Sequence, residues 1–164
     1  TLVKNKFKIS EVDLNDLIIK SSEIHTKISG YEFRRSISPE RFHHLEKLSD
    51  ILRYGRLNVG NNIKLNDYHN LLDELNKFRE ILQNNLSQYD CIITPSAMGE
   101  ALKGIEYTGS AQLNTTWTLL GYPSITLPLF KSKNNLPIGC QFISKKANDD
   151  LLLSISKKIM QELF

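Results

Sequence analysis

The stretch YDCIITPSAMGEALKGIEYTGSAQLNTTWTLLGYPSITLPLFKSKNNLPIGCQ, residues 89–141, decides how the chain is read. It opens on a short apolar run, Cys91-Ile92-Ile93-Thr94, of the kind expected for a strand buried on both faces. Thr94-Pro95-Ser96 closes that run, and a loop carrying Gly99, Gly104 and Gly109 follows. Thr115 to Leu120 then reads as a short helix around the only tryptophan, Trp117, and Gly121 ends it. Ser124-Ile125-Thr126-Leu127 and residues 138–143 are two further strand candidates, with a polar turn at 131–135 between them. Four of the five prolines and five of the eight glycines lie beyond Asp90, so the grammar of the chain changes there from helix to strand and turn.

Working outward, the preceding residues are helical in period. Leu14, Leu17, Ile18, Ile24, His25, Ile28 and Tyr31 recur at helical spacing and predict an amphipathic helix over 14–37, with Asp13 or Asn15 as its cap. Residues 38–55 predict a second helix, with Ser38 capping, Pro39 in the first turn and Gly55 at the end. Residues 56–66 read as an Asn-rich loop. Tyr68, Leu71, Leu72, Leu75, Phe78, Leu82 and Leu86 give the cleanest period and predict a third helix over 66–88. Phe7 to Val12 alternates loosely and reads as a strand. At the other end Asn148 caps a terminal helix, with Asp149 and Asp150 in its first turn and Lys157 and Lys158 later, which suits the helix dipole. The organisation is thus a helical part 14–88, a strand- and loop-rich part 89–145 and a helix 148–163. Strands alternating with helices point to the α/β class, a layered, mixed β-sheet flanked by helices. Three or four short strands bury little helix surface, so a larger sheet completed by residues outside this chain is expected.

With 164 residues, 40% hydrophobic and 24% charged, the chain suffices for one globular core. Its net charge of +3 comes from scattered, interleaved charges, which argues against a nucleic-acid face. No apolar run nears the ~18 residues of a membrane span, and the first residues lack a secretory core. Cys91 and Cys140 sit in apolar runs and read as buried thiols of a reducing, cytoplasmic compartment. The chain begins at Thr1 without a methionine, as a piece of a longer polypeptide would.

The chemistry-bearing residues are sparse. His25, His43, His44 and His69 all lie in the helical half, whereas α/β folds place sites at strand-end loops. The adjacent His43 and His44 lack the spacing of about three or four that a helix needs to present two metal ligands. Ser21, Ser22 and Lys27 lie on an amphipathic helix with no oxyanion-hole glycine, and nothing near Cys91 would activate a thiolate. The glycines form neither a GxGxxG nor a Walker loop. No metal or cofactor is expected.

The residues TPSAMGEALKGIEYTGSAQLNTTWTLLGYPSITLPLF and LPIGCQFIS resemble the C-terminal region of the amidase signature family. Tyr89, Asp90, Thr94, Pro95, Ser96, Gly99, Glu100, Gly104, Thr108, Gly109, Asn114, Trp117, Gly121, Pro123, Pro128, Pro137, Gly139 and Gln141 match its pattern in order, and Ile28–Glu32 and LSDILRYG fit its preceding helices. The resemblance implies a large mixed sheet with helices on both faces. It also implies carboxamide hydrolysis or transfer by a Ser–cis-Ser–Lys triad. That triad belongs to a glycine- and serine-rich run of which this chain has no counterpart, so no catalytic residue is carried over. On this resemblance residues 1–164 are the C-terminal part of an amidase domain. They supply scaffold and part of a small-carboxamide pocket to an N-terminal catalytic part, with Thr108, Gln112 and Trp117 as substrate-binding candidates. Two alternatives stand beside it: a non-catalytic, degenerate amidase-like module, and a chain like the glutamine-using A subunit of an amidotransferase. The WTLLG wording and the lack of an acidic residue at Ala111 or Gln112 favour a general amidase over the amidotransferase. The isolated chain is expected to be inactive and to self-associate through an uncovered sheet face or edge.

Overall fold

The computed structural model describes residues 7–163 and divides into two compact units. The helical unit spans residues 16–82; the sheet unit holds the described residues before Asp16 together with those from Gln83 onward.

In the helical unit, α1 (Asn15–Ser36) follows Asp13, whose Oδ1 accepts a hydrogen bond from the Asn15 backbone N–H at 3.0 Å. Asp13 thereby satisfies an amide near the helix start. Ser21, Ile24, Ile28 and Tyr31 are buried, one stripe at spacings of three and four, of which the last three belong to the predicted period. The expected second helix is not continuous. Its span breaks into α2 (Ser38–His43), a 3-10 turn (Leu45–Lys47) and a π-helical turn (Ile51–Arg56), which runs on into α3 (Leu57–Asn61). The breaks sit where the backbone leaves the helical basin, at His44 (φ −144°, ψ 34°) and at the extended Leu48 (φ −76°, ψ 138°). Ser38 lies inside α2, its hydroxyl donating to the Arg35 carbonyl rather than capping. Gly55 lies within the π turn, and part of the expected 56–66 loop is α3. A tertiary contact accounts for α3. A Cβ at Gly60 would collide with the Gly30 carbonyl, so only glycine admits this approach of α3 to α1. The third helix, α4 (Leu65–Asn85), buries Leu75, Phe78 and Leu82 as expected. An exposed Lys20–Glu74 ion pair (3.0 Å) and a Tyr31–Tyr68 stack (centroids 4.3 Å apart) link α1 to α4.

The sheet unit contains β1 (Ile92–Pro95), α5 (Gln112–Leu120), β2 (Ser124–Lys131), β3 (Pro137–Ile143) and α6 (Asp149–Leu163). Its sheet has the order β1-β3-β2, antiparallel throughout. The layered helix-and-sheet class is as expected; parallel pairing, the other component of a mixed sheet, is absent among the described residues. Residues 7–14 form no strand, in contrast to the expectation for Phe7–Val12. β1 is an edge strand and alternates between half-buried and exposed, so it is not covered on both faces. The sequence run hides this because Cys91 and Ile93 reach one face while Ile92 and Thr94 reach the other. β2 runs further than predicted, through a register shift between Leu127 and Phe130. Pro128 falls at this irregularity on an edge strand, where a missing N–H costs no ladder bond.

The central strand β3 is covered on both sides. Cys140 and Phe142 join Leu127 of β2 and Leu152 and Ile159 of α6 in the core cluster. The period-2 alternation of the strands and the 4-3 spacing of α6 meet there. Phe142, fully buried, sits at its centre. The β2–β3 turn is held by Ser132, whose Oγ accepts from the Asn134 and Leu136 amides at 3.1 and 3.2 Å, with Asn135 left-handed at φ 61°. Asn135 suits that conformation better than a branched residue would.

Candidate functional site

The opposite side of β3 carries the buried Ile143 and, beside it, a polar row. Thr94, Gln141 and Thr126 stand in register across the three strands. Because side chains alternate along a strand, all three face away from the Phe142 core. Gln141 is 3% exposed, and a buried carboxamide must find partners. Its Oε1 accepts from the Thr94 hydroxyl at 3.3 Å, and its Nε2 donates to Asn114 Oδ1 on α5 at 2.8 Å. Asn114 in turn donates from Nδ2 to the Ser96 carbonyl at 3.4 Å. One amide therefore ties together β1, β3, α5 and the start of the loop after β1. Gly139 completes the join: the Ser96 amide donates to its carbonyl at 3.2 Å. A Cβ at Gly139 would collide with Ser96 Oγ and Thr126 Cγ2.

From this anchored root the loop 96–111 projects with little cover. Met98, Leu102, Ile105 and Tyr107 are exposed, Ile105 to 90%. Gly104 and Gly109 adopt φ +98° and +97°, which L side chains rarely reach, so the loop's path depends on them. At its base the Glu100 carboxylate accepts from Asn134 Nδ2 in the β2–β3 turn. The Ser132 hydroxyl and the Asn134 amide hold that carboxyl below the usual glutamate range. Loop and hairpin turn are thus joined by an exposed, charge-assisted contact.

The predicted site residues separate in this setting. Thr108 is exposed in the loop, and Gln112 is exposed at the first position of α5, its backbone N–H donating to Ser110 Oγ at 3.2 Å. Both can meet a ligand. Trp117, five residues further along α5, is buried, 3% exposed. Sequence reasoning matched Asn114 and Gln141 to the family pattern but gave them no role. The available signal was a polar residue at an inward strand position between Cys140 and Phe142, which demands a partner.

No nucleophile is activated by these surroundings. Burial pushes both the Cys91 and Cys140 thiols up, away from thiolate. His25 of the helical unit is pushed down, first by burial and then by Arg56. Ser21 donates its hydroxyl to the Ile18 carbonyl of its own helix at 2.9 Å. Among the described residues no cluster of His, Cys, Asp and Glu could hold a metal ion, and no helix is long and apolar enough to cross a membrane.

Comparison with known proteins gives a consistent answer. The family model Amidase matches residues 21–153. The A subunit of the mitochondrial glutamyl-tRNA(Gln) amidotransferase of Ornithorhynchus anatinus is 28% identical over 152 residues, covering 82% of this chain and 29% of that protein. The A subunit of the glutamyl-tRNA(Gln) amidotransferase of Borreliella afzelii is 28% identical and covers 99% of this chain and 42% of that protein. Among solved structures, an amidase superimposes with a TM-score of 0.82 at 23% identity over 99% of this chain and 39% of that one. At that identity the likeness establishes a shared fold. The chain spans less than half the length of each of these proteins.

Proposed function

Because the chain belongs to the amidase family, we propose that it forms the scaffold and one pocket wall of an enzyme that cleaves the C–N bond of a small carboxamide. The serine-centred chemistry is supplied by sequence outside these residues. One observation carries this reading: the family match extends over residues 21–153, yet the only Ser-Ser pair in the sequence, Ser21-Ser22, lies in α1 with no flanking glycine. A Ser–cis-Ser–Lys site needs glycine-rich backbone at its nucleophile to bind the oxyanion. The N-terminal catalytic part of the same protein is therefore the first partner of this chain. Thr108 and Gln112 are assigned to the substrate side, where a hydroxyl and a carboxamide can hydrogen-bond an amide. Trp117 supports the wall from within. The two free thiols suit a reducing compartment, and a cytoplasmic location goes with this proposal.

In the reaction, the serine hydroxyl adds to the amide carbonyl as its proton passes through the bridging serine to lysine. The C–N bond breaks with proton return to the leaving amine, and water then hydrolyses the acyl-serine. The wall formed by this chain fixes the orientation of the amide during both steps. Misplacement of such a wall by about 1 Å can cost on the order of 10²-fold in rate.

A second reading is supported by the relatives that are A subunits of glutamyl-tRNA(Gln) amidotransferases. In it the amide is that of glutamine, and the released ammonia is passed to an acceptor instead of being lost to solvent.

The test is ammonia release by the protein encoded by the complete gene, compared with this chain alone, on a panel of primary carboxamides that includes glutamine. Release by the complete protein and none by the chain is expected. Turnover by the purified chain that disappears on substituting one of its own residues would sink the proposal. Turnover confined to glutamine and raised by an aminoacyl acceptor selects the second reading.

A further inference from the structure

The helical unit holds a separate arrangement that the proposed amidase role does not use. Glu32 and Arg35 are both exposed and lie one turn apart on α1, a spacing at which opposite charges ordinarily pair. Among the described residues they form no ion pair with each other. Each is engaged by a tyrosine instead. The Tyr68 hydroxyl donates to Glu32 Oε1 at 2.8 Å, and Arg35 Nη1 donates to the Tyr31 hydroxyl at 3.4 Å. The tyrosine rings are stacked, with planes within 19°. Tyr31 is buried, so the stack is fixed to the core of the unit. Bonding to Glu32 pushes the Tyr68 phenol up to about 12, which keeps the donor protonated at any ordinary pH.

Between the two charges lies an open recess of about 390 Å³, lined by Tyr31, Glu32, Arg35, Leu65 and Tyr68. That volume is at the lower end of the ~300–1,000 Å³ of ligand sites. Leu65, in the first turn of α4, leaves 53% of its surface to water and supplies an apolar wall. The recess presents a positive group, a negative group and an apolar patch.

We propose that this recess binds a small zwitterion of the aliphatic amino-acid class, its carboxylate on Arg35, its ammonium on Glu32 and its side chain against Leu65 and Tyr68. A ligand bearing both charges satisfies both groups at once. A ligand with one charge engages only one of them and leaves the other to water. The guanidinium fork suits a carboxylate, and Glu32 keeps one carboxylate oxygen beyond the one engaged by Tyr68.

The experiment is two-dimensional NMR titration of the 164-residue chain with L-leucine, 4-methylpentanoate and leucinamide. Saturable shifts at the Glu32, Arg35, Leu65 and Tyr68 amides are expected with leucine, and at least tenfold weaker binding with either single-charge analogue. Arg35→Gln and Glu32→Gln, both at exposed positions, are each expected to weaken leucine at least tenfold. Tyr68→Phe separates this site from nonspecific surface attraction. It keeps the ring but frees Glu32 to collapse onto Arg35, so leucine affinity falls although both charges remain. Absence of saturable shifts with leucine overturns the proposal. So does equal binding of leucinamide, or an affinity unchanged in Tyr68→Phe.

Discussion

Gln141 and Asn114 are joined side chain to side chain across 2.8 Å, one on the central strand and the other on α5, 27 residues apart in sequence. The same glutamine amide receives the Thr94 hydroxyl from the edge strand. Gln141→Leu keeps the volume and removes both partners, leaving the Thr94 hydroxyl and Asn114 Oδ1 without theirs on a largely covered face. We expect a loss of about 1–3 kcal/mol in urea unfolding of the chain. Asn114→Ala together with Gln141→Leu should cost less than the sum of the single changes, since both act on one network.

Gly139 predicts a packing effect of opposite kind. Gly139→Ala adds one methyl where Ser96 Oγ and Thr126 Cγ2 already stand, and overpacking of this sort costs about 1–3 kcal/mol. Combining it with Ser96→Gly and Thr126→Ser opens the space, so thermal unfolding of the triple variant should recover part of the lost midpoint. A Gly139→Ala protein as stable as the parent would show that β3 and the loop root are further apart than described.

Glu100 predicts a pH dependence. Its carboxyl is held below 4.5 by hydrogen bonds from Ser132 and Asn134 to the ionised form. The contact is therefore complete above the ordinary glutamate value and is lost as pH falls through the lower folded value. The Asn134 side-chain amide resonances should titrate with a midpoint below 4.5. Glu100→Gln should abolish that titration.

Ile105, Leu102 and Met98 predict concentration-dependent behaviour. All three are exposed on one loop, and β1 and β2 each leave one edge unpaired among the described residues. Sedimentation velocity of the isolated chain should show association rising with concentration. Leu102→Ser with Ile105→Ser should reduce it. A monodisperse monomer at all concentrations would refute this expectation.

The elements that are legible in sequence are those whose pattern is set locally. The six periodic apolar positions from Tyr68 to Leu82 in α4, the acidic first turn of α6 and the Ser132–Asn135 turn each carry their own signal. The interruption of the second helix does not. Residues 38–55 are helical in period, and nothing in that pattern marks the breaks at His44 and Leu48. Phe7–Val12 fails as a strand because alternation over six residues carries no information about a pairing partner. At the candidate site, Thr108 and Gln112 are exposed while Trp117 is buried. An aromatic four residues before a helix-ending glycine is as readily interior as exposed, and only packing decides.

The strand order β1-β3-β2 has a consequence for how the chain is made. β3, the middle strand, is the last of the three to be synthesised. Thr94 waits 47 residues for Gln141, and only the β2–β3 hairpin can close promptly. Until residue 143 has left the ribosome, β1 has no ladder to join. At about 5–20 residues per second that interval lasts several seconds. During it the Cys91–Thr94 run and the loop behind it are exposed to whatever else the cell offers, and a holding chaperone would find its target there.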